Sequence, residues 1–137
     1  MLSEHQLPEH LTHFHTMPSE EFRTRIPHYQ GQCHHHGLHE AADALGSLLD
    51  FLAPMWPVVG LTVGALVGFL LTGGLGPLGF VAGGMGGEIL GEESGVKMAK
   101  AADALHLYAI TTGDHEAKDH AQLLAHIATH KASSSGG

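Results

Sequence analysis

A single cysteine, Cys33, stands in the 137 residues, so no internal disulfide can staple the fold. Only 6 Lys and Arg face 14 Asp and Glu, which gives a formal net charge of −8 with histidine neutral. The clustered basic footprint of a nucleic-acid-binding protein is missing, and no nucleic-acid partner is expected. The first thirty-seven residues are polar and lack a basic region followed by an apolar stretch and a small-residue cleavage site, so no cleavable secretory signal is expected. Nucleophile elbow, phosphate loop, paired CxxC and dinucleotide fingerprint are also missing. The spacing from His115 and Glu116 to His120 is one residue too long for the HExxH zinc motif. These absences point away from an enzyme.

What is abundant is glycine, at 19 residues, and histidine, at 14. Protonating every histidine adds 14 to −8 and gives +6, so mild acid would remake the electrostatics of the chain. Apolar residues are concentrated between Phe51 and Leu90 rather than spread periodically, a segregation unusual in a soluble domain of this length.

Three regions are read along the chain. Residues 1–37 hold short helix signals, Ser3 with Gln6 and Ser19 before Glu20 and Glu21, each interrupted by Pro8, Pro18 or Pro27. They read as a flexible His-rich arm. Residues 38–131 read as a helical membrane-hairpin domain, and 132–137 as a linker-like tail. Within the domain, Leu38, Ala41, Ala42, Leu45, Leu48, Leu49 and Leu52 fall on one helical face. After Gly91 a second amphipathic pattern follows in Met98, Ala101, Ala102, Leu105, Tyr108 and Ala109. Thr111 to Asp114 reads as a turn and N-cap for a last helix from His115 to about Lys131.

Between the amphipathic segments lies an apolar pair, roughly 51–72 and 75–91, separated at Gly73-Gly74-Leu75-Gly76-Pro77. The uncharged run from Phe51 to Thr72 is 22 residues, about 33 Å as a helix and enough for a hydrocarbon core of about 30 Å. Gly60, Gly64 and Gly68, then Gly79, Gly83, Gly87 and Gly91, recur every four residues. Each interior glycine costs about 1 kcal/mol against alanine, a cost that close backbone approach offsets, so face-to-face packing of two glycine ridges is expected. Trp56, between Pro54 and Pro57, and Glu88, near the end of the second stretch, are expected at the membrane interface.

The histidines form two further candidates. Cys33, His34, His35, His36 and His39 are donors that zinc, copper or nickel would accept, although the spacing matches no closed tetrahedral motif. His115, His126 and His130 share a helical face with Asp119 and Gln122 and are candidates for sensing pH, against the alternative of a plain solvated face.

From Leu61 to Gly91 the glycine-rich helix, Thr72-Gly73-Gly74-Leu75 break, second glycine-rich helix and Gly87-Glu88-Ile89-Leu90-Gly91 resemble the glycine-rich transmembrane region of type VI secretion effectors of the PAAR and Rhs kind. The resemblance covers about 30 residues. It implies a segment shielded by a secretion chaperone that helps deliver a linked toxin across a target membrane.

The expected fold is therefore all-α, a Gly-zipped apolar hairpin flanked by amphipathic helices with a flexible N-terminal arm. The expected function is membrane insertion, for pore formation or effector translocation, with a lipid bilayer as partner and a membrane location in the final state. Two other functions stay open: a structural or assembly membrane protein packing as a homo-oligomer through its glycine ridges, and a His-rich metal-binding or pH-sensing membrane protein.

Overall fold

A computed structural model describes residues 7–56, 61–71 and 87–136, with side chains described outside 87–94 and 131–136. The described chain is helical, with no strand. It runs through a 3-10 turn η1 (Glu9–His15), α1 (Ser19–His35), α2 (His39–Leu52), a short η2 (Ala53–Met55), α3 (Val63–Leu71), α4 (Gly87–Thr112) and α5 (His115–Gly136). The all-helical class expected from sequence is therefore found.

The amphipathic patterns predict α2 and α4 well. Ala41, Ala42, Leu45, Leu48 and Leu52 are buried on α2, and Met98, Ala101, Ala102, Leu105, Tyr108 and Ala109 on α4. The last helix begins where its cap predicts: Asp114 Oδ1 accepts from Glu116 N–H at 3.0 Å and Ala117 N–H at 3.1 Å, satisfying two amides that a helix start leaves unpaired. Gly113, at φ 76°, closes α4 in the left-handed conformation that glycine adopts without penalty. α4 and α5 then pack as an antiparallel pair through the most extensive contact among the described elements, with α2 laid on α4 and α1 on α2.

The N-terminal region departs from expectation. Residues 7–37, read as a flexible arm, supply η1 and α1 and a large share of the core: Leu11, Phe14, Phe22, Ile26, Tyr29 and Cys33 are buried. Pro8 and Pro18 precede helices as N-caps, where a missing N–H costs nothing. Pro27 does lie inside α1, but on its exposed side, while Phe22, Ile26, Tyr29 and Cys33 keep the four-three-four spacing of a buried stripe.

The membrane assignment is corrected. Among the described residues no helix is long and apolar enough to cross a membrane. The uncharged run from Phe51 is not one helix: α2 ends at Leu52, Pro54 sits in η2, and α3 starts afresh at Val63. The Thr62 hydroxyl accepts the Ala65 N–H at 3.2 Å as its cap. At 9 residues α3 spans about 14 Å, under half of a hydrocarbon core. Its apolar residues Val63, Leu66, Val67, Phe69, Leu70 and Leu71 are buried within the protein, where α3 meets α5, η1 and α1. α4 is long enough at 26 residues, but it contains Glu88, Glu92, Glu93, Lys97, Lys100 and Asp103. It also runs straight through Glu92 to Gly95, where the sequence suggests a boundary.

Trp56, expected at a lipid interface, is half-buried against protein: the Phe22 ring stands 6.4 Å away edge-on, and the Arg23 guanidinium sits 5.1 Å from the indole centroid. Gly64 serves close packing against η1. A Cβ there would lie 2.6 Å from the His15 carbonyl oxygen. At Gly68 no described residue would come within 4 Å of an added Cβ. Gly87 and Gly91 lie in the first turns of α4, as does Glu88, whose side chain is outside the described set. Gly60, Gly79 and Gly83, and with them the face-to-face zipper, lie outside the described residues.

Candidate functional site

The most unusual group in the described interior is His120. It is 1 % exposed and, with Ser19, one of two polar residues in the buried set. Three elements enclose it. α5 carries it on the apolar stripe of Ala117, Ala121 and Leu124. η1 contributes Phe14, whose ring meets the imidazole edge-on at 5.0 Å. α1 contributes Phe22, stacked at 5.8 Å, and Tyr29, edge-on at 5.3 Å. The imidazole thus holds the N-terminal turn, α1 and α5 together.

Its two nitrogens differ. Nδ1 lies 2.9 Å from the Glu116 carbonyl oxygen one turn earlier, and 3.4 Å from the Tyr29 hydroxyl. A carbonyl only accepts, so the network assigns the ring proton to Nδ1. Nε2 is then a bare acceptor, buried with no hydrogen-bond partner among the described residues. Burial lowers the pKa of His120 below its usual 6.5, outweighing the bond to the Glu116 carbonyl and the Glu116 and Asp119 charges, which raise it; the Arg25 charge adds to the lowering. The ring is held neutral because burial takes water away from its cation.

The surroundings fix this arrangement. Burial, with the charges of Glu116 and Asp114, pushes the Tyr29 phenol well up, so it stays protonated. At the outer edge Arg25 of α1 pairs with Glu116 of α5, a bond that raises the arginine further. The His10 ring nitrogen lies 2.6 Å from the Gln122 side-chain oxygen and joins η1 to α5 a second time.

The histidines singled out from sequence are distributed differently. His115 is exposed at the start of α5. His126 and His130 do meet, with ring centroids 4.0 Å apart. The pKa of His126 is lowered by burial first and by the His130 charge second, and its Nε2 is buried without a partner. His120 itself was passed over because it falls off the polar face of α5. The available signal was its place three residues after Ala117 and four before Leu124, inside the apolar stripe.

The Cys33 cluster is split. Cys33 is fully buried, and burial pushes its thiol pKa up, away from the thiolate that metals bind. The His36 ring rests 6.0 Å from Tyr108, with His35 edge-on to it at 5.3 Å. Only His34 and His39 converge, their Nδ1 atoms 2.9 Å apart. Among the described residues no group of three or more His, Cys, Asp or Glu side chains could hold a metal ion.

Comparison with known proteins adds no identity: no family model, curated protein or solved structure matches the chain. The stretch behind the resemblance to PAAR and Rhs effectors, 61–91, overlaps the described residues only at 61–71 and 87–91.

Proposed function

We propose that this chain is a non-catalytic, acid-responsive helical module, in which protonation of His120 loosens η1 and α1 from α5. One observation carries the reading: a buried imidazole with an unpartnered Nε2 at the junction of these three elements. The charged and titratable groups facing it are Tyr29 and Arg25 from α1 and Glu116 and Asp119 from α5, while η1 meets it with the Phe14 ring. Among the described residues no carboxylate is bonded to Nε2, so none of them supplies a counter-ion for a proton there in the packed state. Rearrangement that exposes the ring relieves the charge. His126 works in the same direction from further along α5. Among the described residues no helix is long and apolar enough to cross a membrane, so the reading rests on the packed helices rather than on insertion.

Amide hydrogen exchange at pH 7.5 and pH 5.5, corrected for intrinsic rates, tests this. The expected result is a selective loss of protection over residues 9–35 in acid, accompanied by a change in Trp56 fluorescence as Phe22 and Arg23 move. Uniform protection at both pH values would contradict it.

A homo-oligomeric assembly is a second reading. It is favoured by Val96, Leu107 and Ile110, which are 55 %, 46 % and 67 % exposed on the outer side of α4. Native mass spectrometry of the chain and of Ile110→Lys checks it. A dimer that the substitution dissociates supports the reading, and a monomer throughout removes it.

A further inference from the structure

α1 and α2 are joined by a turn with little freedom. Leu38 N–H donates to the Cys33 carbonyl at 2.7 Å and Gly37 N–H to the His34 carbonyl at 3.1 Å, the two bonds of a Schellman motif, with Gly37 at φ 78° as the left-handed residue. Leu38 packs back onto the core and anchors the turn. His34, in the last turn of α1, and His39, the first residue of α2, stand on either side of it. Both side chains are exposed, and their Nδ1 atoms face each other at 2.9 Å.

We propose that His34 and His39 form a bidentate surface chelate for copper(II), with nickel(II) a weaker occupant. Two imidazole nitrogens this close either share a proton or share a cation. With metal–nitrogen bonds of about 2.0 Å, cis nitrogens of a square plane stand about 2.8 Å apart, whereas those of a tetrahedron stand about 3.3 Å apart. The observed 2.9 Å is a hydrogen-bond distance and lies close to the cis edge of a tetragonal ion, so a small movement brings both nitrogens onto one ion. Copper(II) also binds nitrogen donors more tightly than nickel(II) or zinc, so geometry and affinity agree. The backbone hydrogen bonds set the pair before any ion arrives, and only rotation of the rings is needed to aim both lone pairs at one point. Remaining coordination positions open to solvent. His35 and His36 turn toward each other and Tyr108, and Cys33 is sealed in the core. His126 and His130 lie close as rings, but His130 Nδ1 is already bonded to the His126 carbonyl, and the rings meet within one helix rather than across a fixed turn.

Copper(II) titration of the full chain at pH 7.5, followed by calorimetry and electron paramagnetic resonance, tests the site against the other histidines. The expected first equivalent shows a tetragonal spectrum with two imidazole nitrogens. His34→Ala and His39→Ala each weaken that equivalent by about tenfold or more, which is about 1.4 kcal/mol. The double variant weakens it little further, since either loss already breaks the chelate. His35→Ala with His36→Ala, and His126→Ala with His130→Ala, leave it unchanged. Because His34 and His39 are exposed, unaltered circular dichroism of their variants separates lost binding from lost folding. First-equivalent affinity and spectrum that survive the His34→Ala, His39→Ala double substitution would overturn the proposal, as would their loss in either control pair.

Discussion

His120 illustrates how one residue can stabilise a fold and limit it. As a neutral ring it packs against Phe14, Phe22 and Tyr29 and leaves one acceptor, Nε2, unpaired among the described residues, at a cost of about 1–3 kcal/mol. As a cation it has no partner there. Its folded pKa lies below that of the unfolded chain, so the unfolded chain takes up the proton first as pH falls. Stability attributable to neutral His120 is therefore complete above about pH 6.5 and declines below it, with a slope of up to about 1.4 kcal/mol per pH unit for one proton. Tyr29→Phe should be mild in comparison, about 1 kcal/mol or less, because the hydroxyl contact is long at 3.4 Å and the ring packing is retained. Denaturant midpoints at pH 7.5 check it, and a loss comparable to a core truncation would show that the hydroxyl holds His120 in place. Gly64 has the opposite character: its role is space. Gly64→Ala should destabilise by about 1–3 kcal/mol, since the new methyl would meet the His15 carbonyl, a backbone atom that cannot turn aside. Gly68→Ala, where no described residue comes within 4 Å of the added Cβ, should be neutral or slightly stabilising by the same assay.

At the scale of elements, the two turns that reverse the chain between α1 and α2 and between α4 and α5 depend on glycine at positive φ. Gly37→Ala and Gly113→Ala should each cost about 1–2 kcal/mol, because an L side chain at φ near 78° crowds the following carbonyl. Asp114→Ala should add a loss of about 1 kcal/mol by unpairing two amides at the start of α5. Thermal unfolding of the three variants measures this. α2, α4 and the start of α5 were legible in the sequence because an apolar stripe and a cap state them directly. α1 was not, since its prolines look like breaks, whereas Pro18 is a cap and Pro27 lies on the exposed side of a helix whose other side buries Phe22, Ile26, Tyr29 and Cys33. The end of α2 and the start of α3 were also misread. An uncharged run carries no helical period of its own, so length alone suggested one span where Pro54 and the Thr62 cap make two elements.

For the whole molecule, the described helices form one packed body in which the N-terminal turn and α1 close over α5 through His120, His10 and Arg25. Of the apolar stretch that suggested a bilayer, the described part in α3 is used internally, packed against η1, α1 and α5. The site was half legible. Histidine abundance and a net charge of −8 announced sensitivity to acid, but the polar face of α5 drew attention to His115, His126 and His130. The decisive imidazole sits on the other face, where only the alanine and leucine spacing marks it. Acid should consequently act by unfastening the N-terminal half rather than by neutralising a surface.

The central claim is tested most directly by urea unfolding of the full chain and of His120→Gln at several pH values between 7.5 and 5.0. Gln keeps a polar side chain that does not titrate, so the two profiles differ by the proton on His120, and His126→Gln run beside them isolates the second buried ring. The account predicts that the stability gap between the chain and His120→Gln narrows steadily as pH falls below about 6.5. Parallel profiles, with a constant gap over the whole range, would contradict it.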